Sequence, residues 1–150
     1  MNTLTAPGFV TQNNFTMQYY FSKTLQTSFE EAIEKTTKAL KDRGFGIITE
    51  IDLKDTFKKK LDKDFRNYKI LGACNPNFAF EALHREHKVG TMLPCNVIVQ
   101  EKGNGEIEVA AINPVASMSA IENEALKEVA GEVENRLKNA SSPYLLQHAT

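Results

Sequence analysis

Residues 95–112 contain two runs of alternating apolar and polar residues joined by a short glycine-containing segment, which constrains the fold of the chain most strongly. The alternating apolar positions are Val97 and Val99 in CNVIVQE, and Ile107 and Val109 in EIEVAAI. The intervening KGNG suits a turn, because glycine adopts positive φ at no steric cost. The pattern therefore predicts an antiparallel β-hairpin.

The chain before this hairpin alternates strand patterns with helix patterns. Strands are predicted in FTMQYYFSKTL, FGIITEIDL and NYKILGAC. Helices are predicted from the SFEE capping box to Arg43, in KDTFKKKLDKDF, and from Pro76 to about Lys88. A last helix is expected to begin at the SAIE capping box, with Ser119 as its cap, and to end near Asn139. This order predicts an α+β fold with a mostly antiparallel sheet.

Length and composition favour one soluble domain. We expect a loosely attached arm over 1–14, a single domain over 15–140 and a tail over 141–150 of the 150-residue chain. The 18 basic and 19 acidic side chains give no charge excess that would favour nucleic acid. No apolar run reaches the length of about 20 residues that a membrane span needs, and the N-terminus lacks the pattern of a signal peptide. No membrane partner and a cytoplasmic location are therefore expected.

The two cysteines bracket one segment, LGACNPNFAFEALHREHKVGTMLPCN. If the strands that carry Cys74 and Cys95 are antiparallel neighbours, the two thiols lie at the same end of the sheet. If a right-handed crossover makes these strands parallel, the thiols lie at opposite ends. In a reducing compartment, two cysteines are more typical of buried thiols, ligands or redox groups than of a permanent disulfide.

The motifs ILGACNP, FEAL, VGTMLPCNVIVQE and INP, taken in this order, resemble the prokaryotic family catalogued as domain of unknown function 302, over about Phe15 to Leu137. The resemblance implies a TATA-binding-protein-like fold, with an antiparallel sheet and its two long helices on one face. It implies no established activity. A shared feature of unknown role is marked by Cys74, Asn75, Pro76, Pro94, Cys95 and Asn96.

Two interpretations of this feature stay open. In the first, the cysteines are core packing, Asn75 caps a helix and Pro94 fixes the entry to a strand. In the second, the segment forms a pocket for a small ligand or a protein, with thiols, asparagine amides and the start of the Pro76 helix available for binding. The candidate residues of this pocket are Cys74, Asn75, Glu81, Cys95 and Asn96.

Catalysis and metal binding are further possibilities that the motifs support less well. An enzyme would use Cys95 as its reactive thiol, although no known catalytic signature occurs. His84 and His87 stand three residues apart near the thiols and suit zinc or copper, but CxxC and HExxH motifs are absent. We therefore predict no metal site and name no cofactor.

The C-terminal segment NRLKNASSPYLLQHA resembles the start of the thioredoxin-domain family catalogued as domain of unknown function 255. This resemblance implies a thioredoxin-like partner or fused domain, and it gives an alternative function: a redox-linked accessory module. A structural dimerisation domain is the other alternative, since a small domain with an exposed sheet edge can form a homodimer.

Overall fold

The computed structural model describes the backbone of residues 18–149 and the side chains of residues 18–140. The expected arm over 1–14 lies outside these residues. The expected tail over 141–150 is described only by its backbone, to Ala149, and the last helix continues to that residue instead of ending near Asn139.

Five strands form one antiparallel sheet, in the order β1-β5-β4-β3-β2. The predicted hairpin is confirmed, because β4 and β5 pair with Val97 opposite Ala111 and Val99 opposite Val109. The predicted α+β class is confirmed with it. The strands are β1 (Tyr20–Leu25), β2 (Gly46–Asp52), β3 (Tyr68–Cys74), β4 (Cys95–Glu101) and β5 (Ile107–Ile112).

Five α-helices and one 3-10 helix connect and cover the described strands. The third α-helix ends at Arg85 instead of about Lys88, because Glu86 has an extended backbone and a 3-10 helix follows over His87–Met92. None of the helices that the described residues form is long and apolar enough to cross a membrane. The helices are α1 (Phe29–Asp42), α2 (Leu53–Leu61), α3 (Pro76–Arg85), α4 (Pro114–Ser117) and α5 (Glu124–Ala149).

The core lies between one face of the sheet and the two long helices, α1 and α5. Successive side chains of a strand point to opposite faces, so one face of the central strands presents a continuous apolar layer. Leu71, Val97 and Val99 from this layer are almost fully buried and belong to one cluster with Leu40 of α1 and Leu137 of α5. This packing fixes α5 across the sheet and so builds one wall of the site described below.

The last helix begins later than the sequence pattern predicts. Ser119 does not cap it: the Ser119 hydroxyl donates to the carbonyl of Ala116, at the end of α4. Asn123 caps α5 instead, because its Oδ1 accepts from the backbone N–H of Leu126 at 3.1 Å. The side-chain amide of Asn123 also donates to the carbonyl of Arg85 at 2.8 Å. The cap of α5 therefore also ties this helix to the end of α3.

This difference predicts unequal effects for two alanine substitutions. Asn123→Ala should lower the free energy of unfolding by about 1 to 2 kcal/mol, since it removes the cap and the bond to α3. Ser119→Ala, the matched control, should change it by less than about 0.5 kcal/mol, as at most exposed sites. Urea unfolding followed by circular dichroism measures both values. A larger loss for Ser119→Ala than for Asn123→Ala would contradict this assignment of the cap.

Candidate functional site

The register of β3 and β4 decides between the two possible placements of the thiols. The strands are antiparallel, and Ala73 lies opposite Cys95. Cys74, the last residue of β3, is therefore beside the start of β4. Both cysteines are free thiols, with Cys95 buried and Cys74 half-buried. Of the two placements that the sequence left open, the antiparallel one is therefore observed, and the two thiols share one end of the sheet.

A cavity of about 350 Å³ opens at this end, on the side of the sheet that the long helices cover. Its walls come from the ends of β3 and β4, from α3 and from α5. Ile48 and Leu83, which also line the cavity, are large apolar side chains that remain 61% and 42% exposed. The apolar lining therefore continues to the protein surface. Buried or half-buried apolar members of the lining include Phe45, Ala73, Phe78, Leu93, Met118 and Leu126.

Among the side chains of residues 18–140, the lining of this cavity carries no charge and few polar groups. These described residues contribute no Asp, Glu, Lys, Arg or His to it, and their polar members are Cys74, Asn75 and Cys95. Asn75 is the N-cap of α3, as predicted, and its Oδ1 accepts from the backbone N–H of Phe78 at 3.2 Å. Asn75 thus has a structural role and borders the cavity at the same time.

The environment of Cys95 suppresses its ionisation. Burial raises the pKa of the Cys95 thiol from 9.0 to about 11, and the neighbouring Cys74 contributes in the same direction. A reactive cysteine needs a lowered pKa, because the thiolate is the nucleophile. The raised pKa favours the neutral form of the Cys95 thiol near pH 7 and gives no support for an activated nucleophile there, so a reactive role for Cys95 stays a prediction.

Two of the five candidate residues do not join the cavity. Asn96 follows Cys95 in β4, points to the opposite face of the sheet and is exposed there, in a separate groove that also contains Tyr20 and Ile98. Glu81 lies on α3, but its carboxylate accepts from the guanidinium of Arg85 at 3.2 Å, outside the cavity lining. The structure therefore brings together Cys74, Asn75 and Cys95 only.

Neither of the two histidines is among the lining residues of the cavity. His84 is exposed, its Nδ1 lies 3.0 Å from the carbonyl oxygen of Phe80, and its ring lies 4.3 Å from the Phe80 ring. His87 is exposed at the start of the 3-10 helix. Among residues 18–140, no three His, Cys, Asp or Glu side chains form a group that could hold a metal ion.

Sequence motifs did not reveal the wall that α5 provides. Leu126, Val129, Ala130 and Val133 line the cavity from this helix, far along the chain from the cysteine segment. Their spacing is visible in the sequence as an apolar helical stripe. Such a stripe is also typical of ordinary core packing, so it does not indicate a cavity by itself.

The comparisons with known proteins agree with this fold. The model of the family described as domain of unknown function DUF302 matches residues 21–142. The structure is similar to the crystal structure of an uncharacterized conserved protein DUF302 from Bacillus stearothermophilus, with a TM-score of 0.77 and 29% sequence identity over 83% of this chain and 96% of that chain. No curated protein matches the chain. The resemblance of its last residues to a thioredoxin-domain family stays a prediction. Because the family model covers most of its length, the chain belongs to the DUF302 family.

Proposed function

We propose that this protein binds a small apolar molecule, or the apolar part of one, in the cavity between the β3–β4 end of the sheet and helices α3 and α5. The observation that carries the proposal is the cavity itself, about 350 Å³ in volume with an almost wholly apolar lining. Ligand cavities in proteins typically have about 300 to 1,000 Å³ and similar linings, with a few polar groups.

Ordinary packing does not account for a space of this size. Protein interiors are packed about as densely as organic crystals, and voids larger than a water molecule are few. Apolar cavities of about 150 Å³ in proteins already bind molecules such as benzene. Water gains few hydrogen bonds from this lining, so an apolar ligand that displaces it should bind favourably.

The polar groups at the cavity favour binding over acid–base catalysis. The described part of the lining offers no carboxylate, imidazole or amine to accept or donate a proton. The Cys95 thiol stays protonated because burial raises its pKa to about 11. Cysteine in this state behaves as a small apolar residue. The Cys95 thiol therefore extends the apolar surface that a ligand would contact.

A neutral fluorescent probe tests the proposal. N-phenyl-1-naphthylamine gains emission in apolar sites, and the chain has no tryptophan to interfere. Ala130 lines the cavity and is 3% exposed, so Ala130→Leu should fill part of the space. We expect the wild type to bind the probe and Ala130→Leu to weaken binding about tenfold, equivalent to about 1.4 kcal/mol. Fluorescence titration measures both affinities.

Matched controls separate filling of the cavity from a general effect of added bulk. Ala125→Leu adds the same atoms to α5 but lies outside the cavity lining, so it should leave the affinity unchanged. Ala79→Leu adds them from the opposite wall, on α3, and should weaken binding like Ala130→Leu. Thermal melting verifies that each variant is folded. Absence of binding by the wild type, or equal binding by all four proteins, would refute the proposal.

A further inference from the structure

The cationic side chain of Arg136 lies at the border of this cavity, whose described lining residues are uncharged. The guanidinium of Arg136, on α5, lies with its Cζ 5.2 Å from the centre of the Phe78 ring. It also approaches Gly44: a Cβ atom built on Gly44 would lie 3.7 Å from Nη1 of Arg136 and 2.8 Å from Nδ2 of Asn75. Because Phe78 and Asn75 line the cavity, Arg136 stands beside its rim.

The guanidinium is available for an anion. Arg136 is exposed, and among the described side chains no carboxylate forms an ion pair with it. Glu132, one turn earlier on α5, is exposed and also has no ion pair within the described residues. The contact of Arg136 with the face of Phe78 orients the planar guanidinium without using its N–H donors. Arginine in this state binds carboxylates and phosphates through two parallel hydrogen bonds.

We propose that the ligand is an anionic amphiphile, whose apolar part enters the cavity and whose carboxylate or phosphate headgroup binds Arg136. This inference rests on the proposed function, because it concerns the same cavity. A charged group would be costly to bury among the apolar side chains of the lining, since nothing there would pair with it. The headgroup must therefore remain at the rim, where Arg136 supplies the opposite charge.

Ligands that have the same alkyl chain and differ in their headgroup test the inference. The probes are decanoate, decyl phosphate, 1-decanol and decylamine, titrated calorimetrically below their micelle concentrations into the full chain. We expect the wild type to bind decanoate and decyl phosphate about tenfold more tightly than 1-decanol. Arg136→Gln should remove this advantage and leave the affinity for 1-decanol unchanged. Arg136→Lys keeps the positive charge but loses the two parallel hydrogen bonds of the guanidinium, so it should retain part of the advantage of the anionic ligands. The ratio of the two anion affinities distinguishes a carboxylate ligand from a phosphate ligand.

Lys127→Gln is the matched control for charge. It removes one positive charge from the same helix, at an exposed residue paired with Glu124 and away from the rim. It should not change the preference for anions. If Lys127→Gln weakens decanoate binding as much as Arg136→Gln, or if decylamine binds most tightly, the assignment of Arg136 is wrong. If decanoate and 1-decanol bind the wild type equally, the headgroup inference fails and cavity binding stands. If none of the four binds, both proposals fail.

Discussion

Replacement of Gly72 by alanine should lower the free energy of unfolding by about 3 kcal/mol, the upper end of the usual range for overpacking. Gly72 is buried in β3, between β2 and β4, where its backbone is paired with Thr49 and Asn96. A Cβ atom there would overlap Oγ1 of Thr49 and lie 2.8 Å from Cγ of Pro94. Thr49 lies in β2 and Pro94 directly precedes β4, so relief of the overlap requires rotation of the Thr49 side chain and a shift of the Pro94 ring.

Urea unfolding of four proteins tests this expectation. Thr49→Ala removes the overlapping oxygen, so the double variant Gly72→Ala/Thr49→Ala should recover part of the stability that Gly72→Ala loses. The remaining contact of the added Cβ atom with Pro94 should prevent full recovery. Gly46→Ala is the matched control, because Gly46 also lies in a strand but a Cβ atom added to it would meet nothing within 4 Å. We expect this substitution to change the free energy of unfolding by less than about 0.5 kcal/mol. A loss below about 1 kcal/mol for Gly72→Ala would show that the sheet yields at this position.

Local periodicity was sufficient to predict the sheet, but the placement of the thiols required the pairing of β3 with β4. The alternation in β4 and β5 specifies a hairpin, because a period of two residues leaves only one face for the core. The same alternation separates Cys95 from Asn96, since neighbours in a strand point to opposite faces. The motif LPCN therefore contained the information that both residues cannot line one cavity, although its compactness suggested a single site.

Tertiary contacts decided what local patterns left open. Ser119 and Asn123 are both suitable helix caps. The hydroxyl of Ser119 bonds to the end of α4, and Asn123 can reach Arg85 as well as its own helix, so α5 begins at Glu124. The wall of the cavity on α5 and the position of Arg136 beside Phe78 depend likewise on how α5 crosses α3. No spacing within a motif encodes contacts between segments so distant in sequence.

Cys95 should make the protein less stable at alkaline pH. The folded protein keeps the proton on this thiol until its pKa of about 11, whereas a thiol with the ordinary pKa of 9.0 in the unfolded chain loses it earlier. Between these values the unfolded state binds fewer protons than the folded state, so stability falls as pH rises. A difference of about two pKa units corresponds to about 3 kcal/mol. The contribution of Cys95 is fully present below pH 9 and should be lost by pH 11.

The difference between wild type and Cys95→Ala isolates this contribution, because lysine and tyrosine side chains titrate in both proteins over the same pH range. The free energy of unfolding, measured with urea from about pH 8 to about pH 11, should fall by about 3 kcal/mol more in the wild type than in Cys95→Ala. Cys74→Ala should keep most of the fall, since burial is the larger cause of the raised pKa and Cys74 the smaller. Parallel curves for wild type and Cys95→Ala would mean that the thiolate is solvated in the folded protein. In that case water reaches the Cys95 thiol through the cavity, and an apolar ligand must displace that water when it binds.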